Sequence, residues 1–203
     1  MKLDDVRRFY AEEIALAARI QSPALIEALA TVRREQFLGP GPWRIAGFSG
    51  LGTLEYFSTP DADPRHVYHN VLIALDESRA LNNGQPSGLA SWIAALALTE
   101  GDQAIHLGAG VGYYTAIMAE MVGPQGRVVA YELDPVLAAR AAANLAGHQN
   151  VECLVGDGTL VQFSTVDAMF VNAGVTHPRR AWLESLNEGG RLVLPITAAT
   201  ELN

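Results

Sequence analysis

A glycine-rich turn is the first place where residue types and spacing suggest chemistry. Residues 103–107 (QAIHL) read as a short strand, and Gly108, Gly110 and Gly112 follow at once, ahead of a helical run. Glycines let the backbone bend sharply and approach a ligand without Cβ clashes. The helix that follows offers free N–H groups and partial positive charge to an anionic group. The dinucleotide fingerprint requires a small residue three positions after its second glycine, and that position is Tyr113. The observed G-x-G-x-G spacing therefore suits a smaller ligand, one with a carboxylate and an amine lying against the turn, better than a pyrophosphate. A plain tight turn between strand and helix is the alternative.

Further polar residues fall after later strands. Glu132 ends the next strand, near the separation of roughly 20 residues from the first glycine at which a carboxylate accepts ribose hydroxyls. Otherwise it is a solvated strand end, and Asp134 is a helix N-cap. Asp157, in Gly156-Asp157-Gly158 after the third strand, can accept from an adenine amino group. Asn172 follows the fourth strand and faces the same crevice; both segments also read as ordinary turns. His66 and His69 form a His-x-x-His pair with no third ligand, a weak metal set, so no metal is expected. His106 reads as a hydrogen-bonded core histidine. Tyr113 and Tyr114 pack at the helix start, with Tyr113 touching a cofactor. Trp43, Trp92 and Trp182 read as core or interdomain packing, and Cys153 as an inert thiol inside a buried strand.

The elements that must position these residues fall into two regions. In residues 1–80, Val6, Tyr10, Ile14 and Ala17 share a helical face, with Arg7, Arg8, Glu12 and Glu13 largely elsewhere. Ser22 caps a second helix that has Pro23 in its first position and Leu25, Leu29 and Val32 inward. From Gly39 to Pro64 the chain carries Gly41, Gly47, Gly50, Gly52 and Pro60, which predicts irregular structure with a short strand. Later residues predict helix 87–98 with Leu89, Ile93 and Leu96 buried, strand 103–107, helix 112–121 and strand 127–131. Helix 135–146, strands 151–155 and 166–171, helix 178–186 and strand 190–195 complete the series. Apolar strands interleaved with helices predict a doubly wound α/β fold, because parallel strands need crossover connections. The division expected is an N-terminal helical and irregular extension, 1–80, packed on a ligand-binding core, 81–203.

Composition narrows the classes of function. The 203 residues are 49% hydrophobic and 18% charged, which is globular rather than disordered. Fourteen Lys plus Arg against 22 Asp plus Glu leave a net charge of -8, which disfavours non-specific nucleic-acid binding. One cysteine cannot form an internal disulfide, so a reducing compartment is expected. The charged N-terminus and the lack of a long apolar run predict neither a signal peptide nor a membrane span, hence an acidic cytoplasmic protein. The oligomeric state is left open.

The segment Ala104 to Ala116 (AIHLGAGVGYYTA) is similar to V-L-E-I-G-T-G-S-G-Y-x-T-A. Val155 to Gly158 and Gly189 to Pro195 match further motifs of the same family. Val32 to Phe37 (VRREQF) is similar to V-P-R-E-x-F, and Gln85-Pro86 sits where that family has S-x-P. The chain thus resembles, from about Leu25 to Pro195, the class I S-adenosylmethionine-dependent methyltransferases, and more closely the protein-L-isoaspartate O-methyltransferase family. The resemblance implies a Rossmann-like sheet with helices on both faces and S-adenosyl-L-methionine as cofactor. By it Gly108, Gly110 and Gly112 cradle the methionine moiety, Glu132 holds the ribose, and Asp157 with Gly158 holds the adenine. Two departures stand out. The hydroxyl residue before x-P, which helps hold the substrate carboxylate, aligns with Gly84, and the acidic residue ahead of the glycine turn is His106. The resemblance also implies an antiparallel strand pair after Pro195, for which eight residues remain. Either the chain is truncated or the sheet is completed differently.

Methyl transfer from a sulfonium is an in-line displacement, so the protein chiefly aligns the reactants and excludes water. A carboxylate acceptor is ionised at neutral pH, with a reference pKa near ~4, and needs no general base. The expected substrate is a carboxylate, on an isoaspartyl peptide or another peptide or small molecule. Asn83 and Gln85 then supply amide donors in place of the serine, and the backbone of Gly84 lines the substrate side against the cofactor. An ordinary turn at residues 82–84 is the alternative. A non-catalytic cofactor-binding relative is the second functional reading. A nicotinamide-dependent oxidoreductase is the third, disfavoured by the glycine spacing.

Overall fold

The computed structural model describes residues 2–48 and 53–197. The chain divides into two compact units, Met1–Trp92 and Ile93–Asn203.

The first unit opens with α1 (Leu3–Ala18), which buries Val6, Tyr10 and Ile14 at helical spacing. Its buried stripe runs on through Arg7, Ala11 and Ala15, so Ala17 is exposed and Arg7, expected outside, is inside and paired with Asp4. In α2 (Pro23–Thr31) the Ser22 hydroxyl accepts the Leu25 N–H, and Leu25, Leu29 and Val32 are buried as expected. The stretch read as irregular with a short strand is more ordered than its glycines suggest. Strands β1 (Arg44–Phe48), β2 (Leu54–Ser58), β3 (Leu72–Asp76) and β4 (Leu81–Asn82) form an antiparallel sheet in the order β2-β1-β3-β4. Gly47 pairs within it opposite Glu55, whereas Gly50 and Gly52 lie outside the described residues. Helix α3 (Pro86–Leu96) runs from this unit into the next.

The second unit is a parallel five-stranded sheet. Its strands are β5 (Gln103–Leu107), β6 (Arg127–Glu132), β7 (Val151–Val155), β8 (Val166–Val171) and β9 (Leu186–Val193), in the order β7-β6-β5-β8-β9. Helices α4 (Tyr113–Val122) and α5 (Pro135–Leu145) lie on the face that carries His106 and Cys153. On the other face, Trp182 of α6 (Arg180–Glu184) packs with Ile105, Leu107, Met169 and Val171. Helices on both faces make the sheet doubly wound, as predicted. Asp134 caps α5 by accepting the N–H groups of Val136 and Leu137, and Pro135 fills the position that needs no donor. The last helix is shorter than 178–186, and the last strand starts earlier than residue 190, because the chain turns directly from Ser185 into β8's neighbour. Past Pro195, Ile196 makes an isolated parallel bridge with Val175; the strand pair expected there falls largely on residues 198–203, outside the described residues.

Strand order reverses between β5 and β8. Open α/β sheets bind ligands outside the carboxyl ends of the strands at such a switch point, and β5 ends at Leu107, immediately before the glycine turn.

Candidate functional site

The turn after β5 is held by the main chain of its neighbours. The N–H groups of Gly108 and Ala109 both donate to the Tyr131 carbonyl, at 2.8 and 3.1 Å, and the Gly112 N–H donates to Ala109 O at 2.9 Å. Gly108 has φ +80°, and a Cβ there would stand 2.9 Å from the Asn172 carbonyl oxygen, so both the bend and the close approach of β8 require glycine. Gly112 caps α4 at φ +91° against the Leu145 side chain. Gly110 differs. Its φ is +58°, yet a Cβ there would meet nothing within 4 Å, so the space above the turn is open to a ligand.

Glu132 is a structural part of this turn, rather than a solvated strand end. It is only 9% exposed; its Oε2 accepts the Gly110 N–H at 2.6 Å and its Oε1 accepts the Asp134 N–H at 3.0 Å. A carboxylate offers about four lone-pair sites, so two remain for donors arriving from a ligand. The open cradle, the α4 N-terminus and this carboxylate fit an amino-acid tail joined to a ribose. Asn144, on α5, adds a bond from its Nδ2 to the Val111 carbonyl at 2.9 Å. That brace was missed from sequence, where a lone asparagine in a helix gives no signal.

The other predicted residues of this unit occupy several settings. Asp157 accepts the Thr159 N–H at 2.8 Å, and this bond holds its carboxyl below the usual range. Gly158 leaves no room for a side chain, since a Cβ would meet Leu107 Cδ2 at 2.7 Å, and its carbonyl accepts the Trp182 indole N–H at 2.9 Å. The Asn172 main-chain N–H donates to Leu107 O at 2.7 Å, while its side chain reaches Gly108 O only at a long 3.5 Å. Tyr113 is 1% exposed, with its ring edge-on to Tyr114, so the small-residue position of the dinucleotide pattern is filled by a buried aromatic. His106 is a core residue, bonded to Thr115 Oγ1 at 2.8 Å and stacked on Phe170; burial pushes its pKa down to about 3. Cys153 is half-buried, and its thiol pKa is raised by burial and by the Glu132 carboxylate, which keeps it protonated and unreactive. A polar cleft of about 830 Å³ lies at the opposite, amino-terminal ends of the strands, beside Gln103, Arg127 and Asn150, away from these residues.

In the first unit, Asn83 is bonded to Arg34 and Gln85 to Asn70, a residue in the 67–71 segment whose carbonyls Arg34 holds. Arg34 has 0% exposure and donates to the carbonyls of Val67, His69 and Val71 at 2.7, 3.0 and 3.0 Å, and to Asn83 Oδ1 at 3.3 Å. Gln85 Nε2 donates to Asn70 O and Oδ1 at 2.7 and 2.9 Å. Gly84, between them, has φ +86°. Arg34 lies in the VRREQF element, so its position was legible but its role was not. His66 is paired with Asp61 at 2.9 Å, and His69 is exposed. Trp43 and Trp182 are buried as expected, whereas Trp92 is 38% exposed.

The family model for protein-L-isoaspartate(D-aspartate) O-methyltransferase matches residues 55–202. The chain belongs to this family. It is 34% identical over 150 residues to protein-L-isoaspartate O-methyltransferase 1 of Archaeoglobus fulgidus, covering 68% of this chain and 69% of that one. Against the Thermotoga maritima protein-L-isoaspartate O-methyltransferase it is 33% identical over 148 residues, 70% of this chain but 47% of the relative. Among solved structures, a protein-L-isoaspartate O-methyltransferase superposes with a TM-score of 0.72 at 27% identity, over 92% of this chain and 55% of that one. The chain thus spans about half the length of some members of the protein-L-isoaspartate O-methyltransferase family. Among the described residues no helix is long and apolar enough to cross a membrane.

Proposed function

We propose that this chain is an S-adenosylmethionine-dependent O-methyltransferase that esterifies the free carboxylate of isoaspartyl residues in peptides and proteins. The observation that carries the reading is the Glu132 carboxylate bonded to the Gly110 N–H beneath an open glycine cradle, in a chain of this family. Gly108, Gly110 and Gly112 hold the amino-acid tail, with Tyr113 beside them. Glu132 takes the ribose hydroxyls with its remaining lone pairs, and Asp157, Gly158 and Asn172 border the adenine. Held by these residues, S-adenosylmethionine would supply an electrophilic methyl group on its sulfonium.

The chain's own residues bind, orient and exclude water. An acceptor carboxylate with a reference pKa near ~4 is already ionised at neutral pH, so no residue has to remove a proton. Asn83, Gln85 and the backbone of Gly84 serve the acceptor. Gly84, in the position of a hydroxyl residue, favours one competing reading, a relative that binds the cofactor without turnover. The buried Tyr113 speaks against a nicotinamide cofactor.

The test is transfer of radiolabelled methyl to an isoaspartyl peptide beside its normal aspartyl twin. Label confined to the isoaspartyl peptide is the expected result. Binding of S-adenosylhomocysteine with no label in either peptide would replace the enzyme by the non-catalytic relative.

A further inference from the structure

We propose that Asn144 is a positioning residue for the cofactor's amino-acid tail: reaching from α5, its amide fixes the peptide plane between Val111 and Gly112 and so sets the shape of the cradle. This rests on the reading above that the glycine turn holds S-adenosylmethionine, and it adds a residue outside the turn that governs one part of that ligand. Every residue involved lies in the parallel-sheet unit.

Glycine adopts positive and negative φ about equally readily, so Gly110 and Gly112 do not by themselves fix the peptide planes beside them. Bonds from outside have to. The peptide entering Gly110 is fixed through its N–H, which donates to Glu132 Oε2 at 2.6 Å. The peptide joining Val111 to Gly112 is fixed at both ends: its N–H donates to Ala109 O at 2.9 Å, and its carbonyl accepts from Asn144 Nδ2 at 2.9 Å. Turning that plane over would break both bonds. The next residue of α5, Leu145, packs where a Cβ on Gly112 would stand, 2.8 Å from its Cδ1. Two successive residues of α5 thus grip one end of the turn.

Between these two fixed planes, the peptide joining Gly110 to Val111 makes no hydrogen bond to another described residue. It adjoins the open space over Gly110, where a Cβ would meet nothing within 4 Å. A main-chain group left over in this way has capacity for the charged groups of an amino acid, and its direction is set by the planes on either side.

Asn150 provides a control of the same chemistry. Its Nδ2 donates to Ala119 O and Gly123 O at 3.0 and 2.9 Å, at the far end of α4. An asparagine amide therefore serves each end of the α4 segment, and of the two only Asn144 touches the cradle.

The experiment compares two ligands by calorimetry on the full chain. One is S-adenosylhomocysteine; the other is 5′-methylthioadenosine, which shares the adenine, the ribose and a thioether but has no amino-acid tail. Asn144→Ala and Asn144→Leu both remove the donor, and both bring in better helix formers than asparagine, so α5 is kept. The expected result is a rise of about tenfold in the Kd of S-adenosylhomocysteine, the scale of one hydrogen bond, with the Kd of 5′-methylthioadenosine within about twofold of wild type. Asn150→Ala lowers the thermal midpoint and leaves both constants within about twofold. Equal weakening of the two ligands in both Asn144 variants, or weakening of neither, overturns the proposal, because an asparagine that is only structural does not single out the tail. A wild-type chain that binds S-adenosylhomocysteine no more tightly than 5′-methylthioadenosine overturns the reading of the cradle itself, before any variant is made.

Discussion

In the parallel-sheet unit the glycine turn is held mainly by main chain: two of its N–H groups share the Tyr131 carbonyl, β8 presses against Gly108, and Glu132 closes the far side. In the antiparallel-sheet unit the segment from Val67 to Val71, together with Asn83, is gathered by one side chain, Arg34. The first arrangement is distributed, so any one bond is a small share of the whole. The second is concentrated, so a single substitution removes several bonds together and leaves buried carbonyls unpaired. Loops of comparable importance thus differ in how they fail.

Removing the guanidinium should have the largest effect. Arg34→Met keeps an unbranched apolar stem but strands three carbonyls and Asn83, and a loss of about 3–5 kcal/mol is expected from urea midpoints. A loss under about 1 kcal/mol would erase the contrast between the two units. Next come the glycines, which sharpen it from the other side. Gly108→Ala meets both a positive φ and the Asn172 oxygen and should cost about 2–4 kcal/mol, whereas Gly110→Ala, with open space around it, should cost about 1 kcal/mol. Equal losses would mean that close packing of β8 contributes nothing to the turn. The last effect depends on pH and is small only near neutrality. His106 stays neutral in the folded state down to a pKa of about 3, while the unfolded chain takes up a proton below about 6.5. Its contribution is therefore fully present above pH ~6.5 and falls by up to about 1.4 kcal/mol per pH unit as the pH drops toward the folded value. His106→Gln should flatten that acid limb of the urea midpoint; an unchanged limb would place the titrating group elsewhere.

Much of the parallel-sheet unit was legible because its signals are local. β5 and β8 are apolar runs bounded by turns, and the Asp134 cap announces its helix through residue type alone, as Ser22 does for α2 in the other unit. The glycine turn and Glu132 were visible for the same reason, although the bond that joins Gly110 to Glu132 required the two strands to lie side by side. The hairpin of β1 and β2 was not legible: RIAGF and LEYFS mix charged, aromatic and small residues, and become strands through mutual pairing. Arg34 was hidden for a deeper reason. Its acceptors are main-chain carbonyls of Val67, His69 and Val71, and a carbonyl is the same whatever side chain it carries.

Gly84 bears on how this chain is able to change. A serine placed there would sit on a peptide bent into the left-handed region, at a cost of about 1–2 kcal/mol. A side chain at this position is therefore opposed by the backbone itself, so the stability of the 83–85 segment constrains residue 84 independently of any part it has in binding.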